Sequence, residues 1–250
     1  MKRILIKADD YGFTEAVSLG ILLAHKSGIV KNTGMMVNMP AALEASKWIK
    51  EFPDLCLGLH ANLTTGVPCS DTIEIPSLVG EDGLFISSKI RRAQFVDGFD
   101  PFVYNDVKKE CESQVLRFIE LNGGLPEYME AHAISSPTIQ KAIADVSNIY
   151  GIDILPHHEP SPWVVPQFKS NHYEFFKTGL PYSEYFKSYL DLTSHLILFI
   201  VHPGFVDQEL IRNSSLTLDR LKDYELVMDQ DVRKVLDDSG FEVISFRDLK

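Results

Sequence analysis

Cysteine is scarce in this chain, with three among 250 residues. Cys56, Cys69 and Cys111 are odd in number, and no pair has the short spacing of a zinc knuckle. A disulfide framework and a cysteine-bound zinc are therefore not expected, and reduced thiols suit a cytoplasmic protein. Long apolar runs are missing too, so no segment is expected to span a membrane. The opening "MKRILIKADD" is basic and then apolar, but its apolar run is too short for a signal peptide and ends at two acids. Positive charge is in short supply: Lys and Arg number 24 against 35 Asp and Glu, a formal net charge of −11. Such a surface repels phosphate backbones, which excludes nucleic acid as an expected partner. No G-x-G-x-x-G follows the first apolar run, so the main signal of a dinucleotide site is absent. No repeat, low-complexity tract or linker divides the chain, and one domain over 1–250 is expected.

What is present is a β/α alternation. Strand-like runs fall at 3–8, 34–39, 55–63, 128–133, 152–157, 195–202 and 241–246. Helical segments lie between most of them: 15–27 after Thr14, 103–124 ending in two glycines, and 137–150 after Ser136-Pro137. Others are expected from Pro40, over 215–229 and near 231–238. Residues 64–102 read as a long insertion loop with one short helix around 88–95. Apolar runs without polar alternation suit strands covered on both faces of a parallel sheet. The fold expected is an irregular (β/α) TIM-like barrel of about seven parallel strands, preferred over an open doubly wound sheet.

The chemistry-bearing residues gather at strand ends. The first strand ends in Asp9-Asp10, and the third carries His60. The run "YMEAHA" carries Glu130 and His132; "IDILPH" leads to His157-His158; "LILFIV" leads to His202. The C-terminal ends of parallel strands share one face of a barrel, so these groups would converge. His25, His172 and His195 fall elsewhere and are read as structural. Each member has a plain alternative: Asp9-Asp10 could cap the next helix, His60 and His132 could be satisfied core residues, and His202 before Pro203 could belong to a turn. Their joint placement favours a site. One carboxylate and two imidazoles can hold a divalent ion with positions left open. A second carboxylate could take a proton from the activated water, and a further histidine could protonate a leaving group.

Three segments also resemble a known family. "KADDYGF" resembles the A-D-D-F/Y-G opening of the YdjC-like carbohydrate deacetylases, among them the chitooligosaccharide deacetylases. "GLHANLT" resembles that family's G-x-H-x-x-L-T, and "VHPGFVD" its H-P-A/G-F/Y-x-D. "GIVKNTGMMVN" and "LRFIELNGGLPEYMEAH" run alike, in order, so the likeness spans nearly the whole chain. The resemblance implies a metal-dependent N-deacetylase on a TIM-like barrel, acting on acetylated sugars such as short chitooligosaccharides. It implies Asp10, His60 and His132 as metal ligands, Asp9 as general base, and His202 as general acid or transition-state stabiliser. Asn62 and Asp207 also match, and Asp207 is a candidate to orient His202. The metal implied by resemblance is Mg2+, whereas two imidazoles suit Zn2+ or Mn2+ better than magnesium.

The chain departs from the family at the fourth strand. There the usual D-S-H-x-H-x-H is "EAHAISS", with Glu130 for the Asp and Ile134 and Ser136 where later histidines stand. His157 or His158 could fill that gap. Aromatics for sugar stacking are Phe85, Phe95, Phe99, Phe102 and Trp163, or these pack back on the barrel. The competing readings are another barrel metal amidase or phosphoesterase, and a non-catalytic sugar- or metal-binding regulator. A small acetylated saccharide is the expected partner, and a homodimer using loop 64–102 is compatible with the fold.

Overall fold

The computed structural model of the chain describes residues 2–96, 98–155, 172–189 and 195–249. Strands β1 (Lys2–Tyr11), β2 (Asn32–Met35), β3 (Cys56–Ala61), β4 (Tyr128–Ala131), β5 (Asp153–Ile154) and β6 (Leu196–Val201) lie in the order β5-β4-β3-β2-β1-β6. Strand β7 (Phe241–Ile244) also pairs with β1. Every pairing is parallel. The helices in chain order are α1 (Glu15–Ser27), α2 (Ala42–Trp48), α3 (Ser88–Gln94), α4 (Tyr104–Asn122), α5 (Pro137–Tyr150), α6 (His172–Phe176), α7 (Tyr182–Tyr189), α8 (Gln208–Asn213), α9 (Asp219–Met228) and α10 (Gln230–Asp238). None is long and apolar enough to cross a membrane.

Side chains alternate across each strand, so a strand covered on both faces serves two cores. Ile4, Ile6 and Ala8 of β1 pack with Val17 and Ile21 of α1 in the larger core. Leu5 points the other way, into a smaller cluster with Cys56, Tyr128, Leu155, Leu198, Ile244 and Phe246. That second cluster fills the inside of a curled sheet. Gly58 makes room there, because a Cβ at that position would meet the Tyr128 ring at 2.3–2.5 Å.

Among the described residues the sheet is curled as a half-barrel, consistent with the expected TIM-like barrel of parallel strands but not closed. Two features explain this. Strand β5 is only two residues long, and both are exposed. Strand β7 does not stand between β6 and β5. It pairs Phe241–Ile244 with Lys2–Leu5, while β2 takes Lys7–Tyr11 along the same edge of β1. Buried Asn32 seals this fork: its Nδ2 donates to Ile6 O and Ile244 O at 3.2 Å each, and its Oδ1 accepts from Phe246 N at 2.7 Å.

Other boundaries shift for local reasons. Strand β2 starts earlier than expected and ends at Met35; the Met36 N–H still reaches Tyr11 O, and the chain then turns. Segment 64–102 contains the expected short helix, α3, and one isolated antiparallel bridge, Val79 to Phe85. Phe85 and Phe102 are buried, while Phe95 and Phe99 are exposed. Helix α8 was not expected. Asp207 caps it, its Oδ1 accepting from Leu210 N at 2.8 Å.

Candidate active site

The two aspartates sit on a β-bulge. Ala8 pairs with Thr33, and Tyr11 with Met35, so three steps on β1 match two on β2. One extra residue is thereby inserted. Asp10 absorbs it with φ 75°, in the left-handed region, which Asp tolerates better than most side chains. In a regular strand the side chains of neighbours face opposite ways. The bulge lets both carboxylates enter the same cleft.

That cleft, of about 390 Å³, lies at the C-terminal ends of the strands. Asp9, Asp10, His60, His132 and His202 all line it. His60 comes from β3, His132 follows β4, and His202 follows β6. A larger groove of about 670 Å³ beside Met39, Leu43, Val67 and Leu116 contains none of these groups.

Asp10 Oδ1 stands 3.4 Å from His60 Nε2 and 3.1 Å from His132 Nδ1, and the two ring nitrogens are 3.1 Å apart. Ligand bonds of about 2.0–2.2 Å put neighbouring donors roughly 3.0–3.5 Å apart around one ion. Asp10 Oδ1 is buried and no hydrogen bond from the described residues satisfies it. The donor set and its spacing therefore fit a divalent metal.

Asp10 Oδ2 is spoken for: Arg220 Nη2 of α9 donates to it at 2.6 Å, and Arg220 is itself buried. Burial alone would raise the Asp10 pKa, but Arg220, then His132 and His60, hold it well below the ordinary carboxylate range. Asp9 is divided in the same way. Its Oδ1 lies 2.5 Å from Lys7 Nζ, while Oδ2 is 3.7 Å from His60 Nε2 and 4.0 Å from His202 Nε2.

Lys7 is fully buried and also bonds Glu130 Oε1. That same oxygen is 3.2 Å from His60 Nδ1, which fixes the ring that presents Nε2 to the cleft. Gly34 leaves the space for this contact, since a Cβ there would meet Glu130 Oε1 at 2.8 Å. Burial lowers the His60 pKa, but Asp9, Asp10 and Glu130 outweigh it and bring the metal-free ring up to about 10.

His202 has a different setting. Its backbone N–H donates to Asp223 Oδ2 at 2.7 Å, and Tyr173 Oη donates to the same oxygen at 3.2 Å. Its Nδ1 is buried without a hydrogen-bond partner among the described residues. Burial puts its pKa below the ordinary histidine value, against the opposing pull of Asp10 and Asp9.

The expected role of Asp207 beside His202 is not seen, because its carboxylate is engaged as the cap of α8. Asn62 organises the turn after β3: it donates to Thr65 O and Asn38 Oδ1 and accepts from the N–H groups of Thr64 and Thr65. The positions of the missing histidines serve the fold. Ile134 is buried in the core, and Ser136 caps α5 through Ile139 N at 3.2 Å. His157, His158 and Trp163 lie outside the described residues. Sequence reasoning missed Lys7, Arg220 and Asp223. Lys7 carried a signal, a cation inside an apolar strand run two residues before Asp9. Arg220 and Asp223 had none, because both sit in a helix rich in charge.

A Listeria innocua protein named carbohydrate deacetylase 2 is 29% identical over 260 residues, covering 99% of this chain and 98% of that protein. A Geobacillus stearothermophilus protein named carbohydrate deacetylase is 28% identical over 249 residues, covering 98% and 97%. Among solved structures, an Enterococcus faecalis protein described as a candidate for cellobiose-phosphate cleavage superposes with a TM-score of 0.83 at 21% identity, over 99% of this chain and 98% of that one. At that identity the likeness is one of fold. The model of the YdjC-like protein family matches residues 3–238, and with that match over nearly its whole length the chain belongs to the YdjC-like family.

Proposed function

We propose that this chain is a metal-dependent carbohydrate deacetylase that hydrolyses the N-acetyl group of a short acetylated sugar, with chitooligosaccharides as the expected class. The observation that carries this reading is the triangle of Asp10 Oδ1, His60 Nε2 and His132 Nδ1 beside Asp9 and His202. The names of the relatives support it. Asp10, His60 and His132 would hold a divalent ion, which when bound acidifies water and polarises the acetyl carbonyl. Two imidazoles and one carboxylate favour Zn2+ or Mn2+ over the Mg2+ that family resemblance implies.

Asp9 is the general base. Lys7 occupies Oδ1, so the proton of the attacking water goes to Oδ2. His202 is the acid. Burial favours its neutral form before the reaction, so it must gain a proton to act. Asp9 Oδ2, 4.0 Å from His202 Nε2, is a source of that proton. His202 then delivers it to the amine nitrogen as the amide C–N bond breaks.

The test is acetate release from N,N′-diacetylchitobiose with added Mn2+ or Zn2+. Asp9→Asn is expected to lose about 10²–10⁴-fold of the rate, the range of one acid–base group. Unchanged release from Asp9→Asn would remove Asp9 as the base. Metal analysis of protein purified without chelator identifies the ion.

A further inference from the structure

Beneath the triangle lies a second group of donors. Asp9, His60 and Glu130 each offer one ligand atom, and these atoms all lie within 4.8 Å of one another. All three residues are buried, as is Lys7, which enters the same space. Its Nζ is 2.5 Å from Asp9 Oδ1 and also bonds Glu130 Oε1. The floor below is apolar, made by Leu5, Cys56, Tyr128 and Leu198. Two carboxylates packed over such a floor require a cation, because an uncompensated buried charge is strongly unfavourable.

We propose that Lys7 supplies, on its own side chain, the second cation of what is laid out as a two-cation site. The tethered ammonium takes the place that a second divalent ion would occupy and leaves room for one exchangeable metal. The consequence is positional. Because Lys7 binds Asp9 through Oδ1, Oδ2 is turned to the cleft; because it binds Glu130 Oε1, that carboxylate stays against His60 Nδ1. Lys7 is thus a positioning residue for both the base and a metal ligand. Burial would lower its pKa, but Asp9 and Glu130 together raise it above the ordinary lysine value, consistent with a retained ammonium.

The proposal rests on the reading of Asp10, His60 and His132 as a metal site only for the count of the first ion. It is tested without a substrate. Protein stripped with chelator is dialysed against Mn2+, and bound manganese per chain is measured by mass spectrometry. Wild type is expected to bind about one equivalent, and Lys7→Ala, which opens the space while keeping both carboxylates, about two. Lys7→Met, which fills the space without charge, is expected to stay at one. If Lys7→Ala does not fold, Lys7→Asn is loaded in its place, with two equivalents again expected. A manganese count in the space-opening variant no higher than in wild type overturns the proposal, whatever the acetate-release assay gives. A raised count with no acetate release from wild type upholds it and overturns the deacetylase reading alone.

Discussion

Asp9 and Asp10 are neighbours with the same side chain, yet each is held by a different buried cation. Lys7 engages one oxygen of Asp9, and Arg220 one oxygen of Asp10. Each carboxylate is thereby left with a single oxygen facing the histidines. Arg220→Met should weaken metal binding by roughly 10–100-fold, the usual effect of removing a group that orients a ligand, read by calorimetric titration with Mn2+. It should also destabilise the metal-free protein by about 3–5 kcal/mol near neutral pH, because a buried charge loses its partner. The sign with pH follows from the depressed Asp10 pKa. A carboxylate lowered on folding adds stability above its unfolded value of about 4 and loses it as pH falls towards its folded value. The gap between wild type and Arg220→Met in urea unfolding should therefore narrow on acidification. The aspartates and histidines were legible because strand ends are easy to find and convergence follows from parallel strands. Arg220 was not, since nothing local separates it from the other charges of "DRLKDYE".

At the level of elements, α9 does more than cover the sheet. Arg220 and Asp223 are three residues apart, so they share one helix face. One reaches the bulge of β1 and the other the end of β6. The segment after β7 has a comparable role at the opposite end of the sheet. Arg247 donates to both oxygens of Glu127, the Nη2–Oε1 distance being 2.7 Å, and to Pro53 O at 2.8 Å. Glu127 in turn accepts from Leu57 N of β3. Arg247→Ala should cost about 1 kcal/mol, a value held down because the Arg247 side chain is 41% exposed. For a chain of this size that is roughly 2–4 °C in Tm. Burial opposes ionisation of Glu127, but the Arg247 hydrogen bonds prevail and lower its pKa. The part of the difference that comes from Glu127 should therefore be present at neutral pH and be lost as pH falls from about 4, the reference range for carboxylates, towards the lowered folded value. Elements of strong periodicity were readable, among them β1, β6, α4 and α5. Closure was not, because strand count does not reveal that β7 joins an edge already used by β2.

For the whole molecule, a metal that binds the folded site and not the unfolded chain must stabilise it. At a free concentration 100 times Kd the gain is about 2.7 kcal/mol. In a chain of this length that is roughly 5–10 °C in Tm. Chelator should lower the melting temperature by that amount, and His60→Ala should lose the response to added Mn2+. A melting temperature of wild type indifferent to metal would contradict a built site.

The fork at β1 has a consequence in time. Lys2–Leu5 leave the ribosome well before their partners Leu196–Val201 and Phe241–Ile244, which lie nearly 200 residues or more further along the chain. The strand on which β2, β6 and β7 all converge is therefore made long before two of those three partners. Contacts so distant along the chain must wait for long loops to close, which slows folding. Until then β1 lacks both its β6 edge and the lower half of the other, and the aspartates it carries belong to no site. The histidine strand β3 is finished long before the triangle of Asp10, His60 and His132 is held in the completed fold, so any metal binding by that candidate site should appear together with the completed fold.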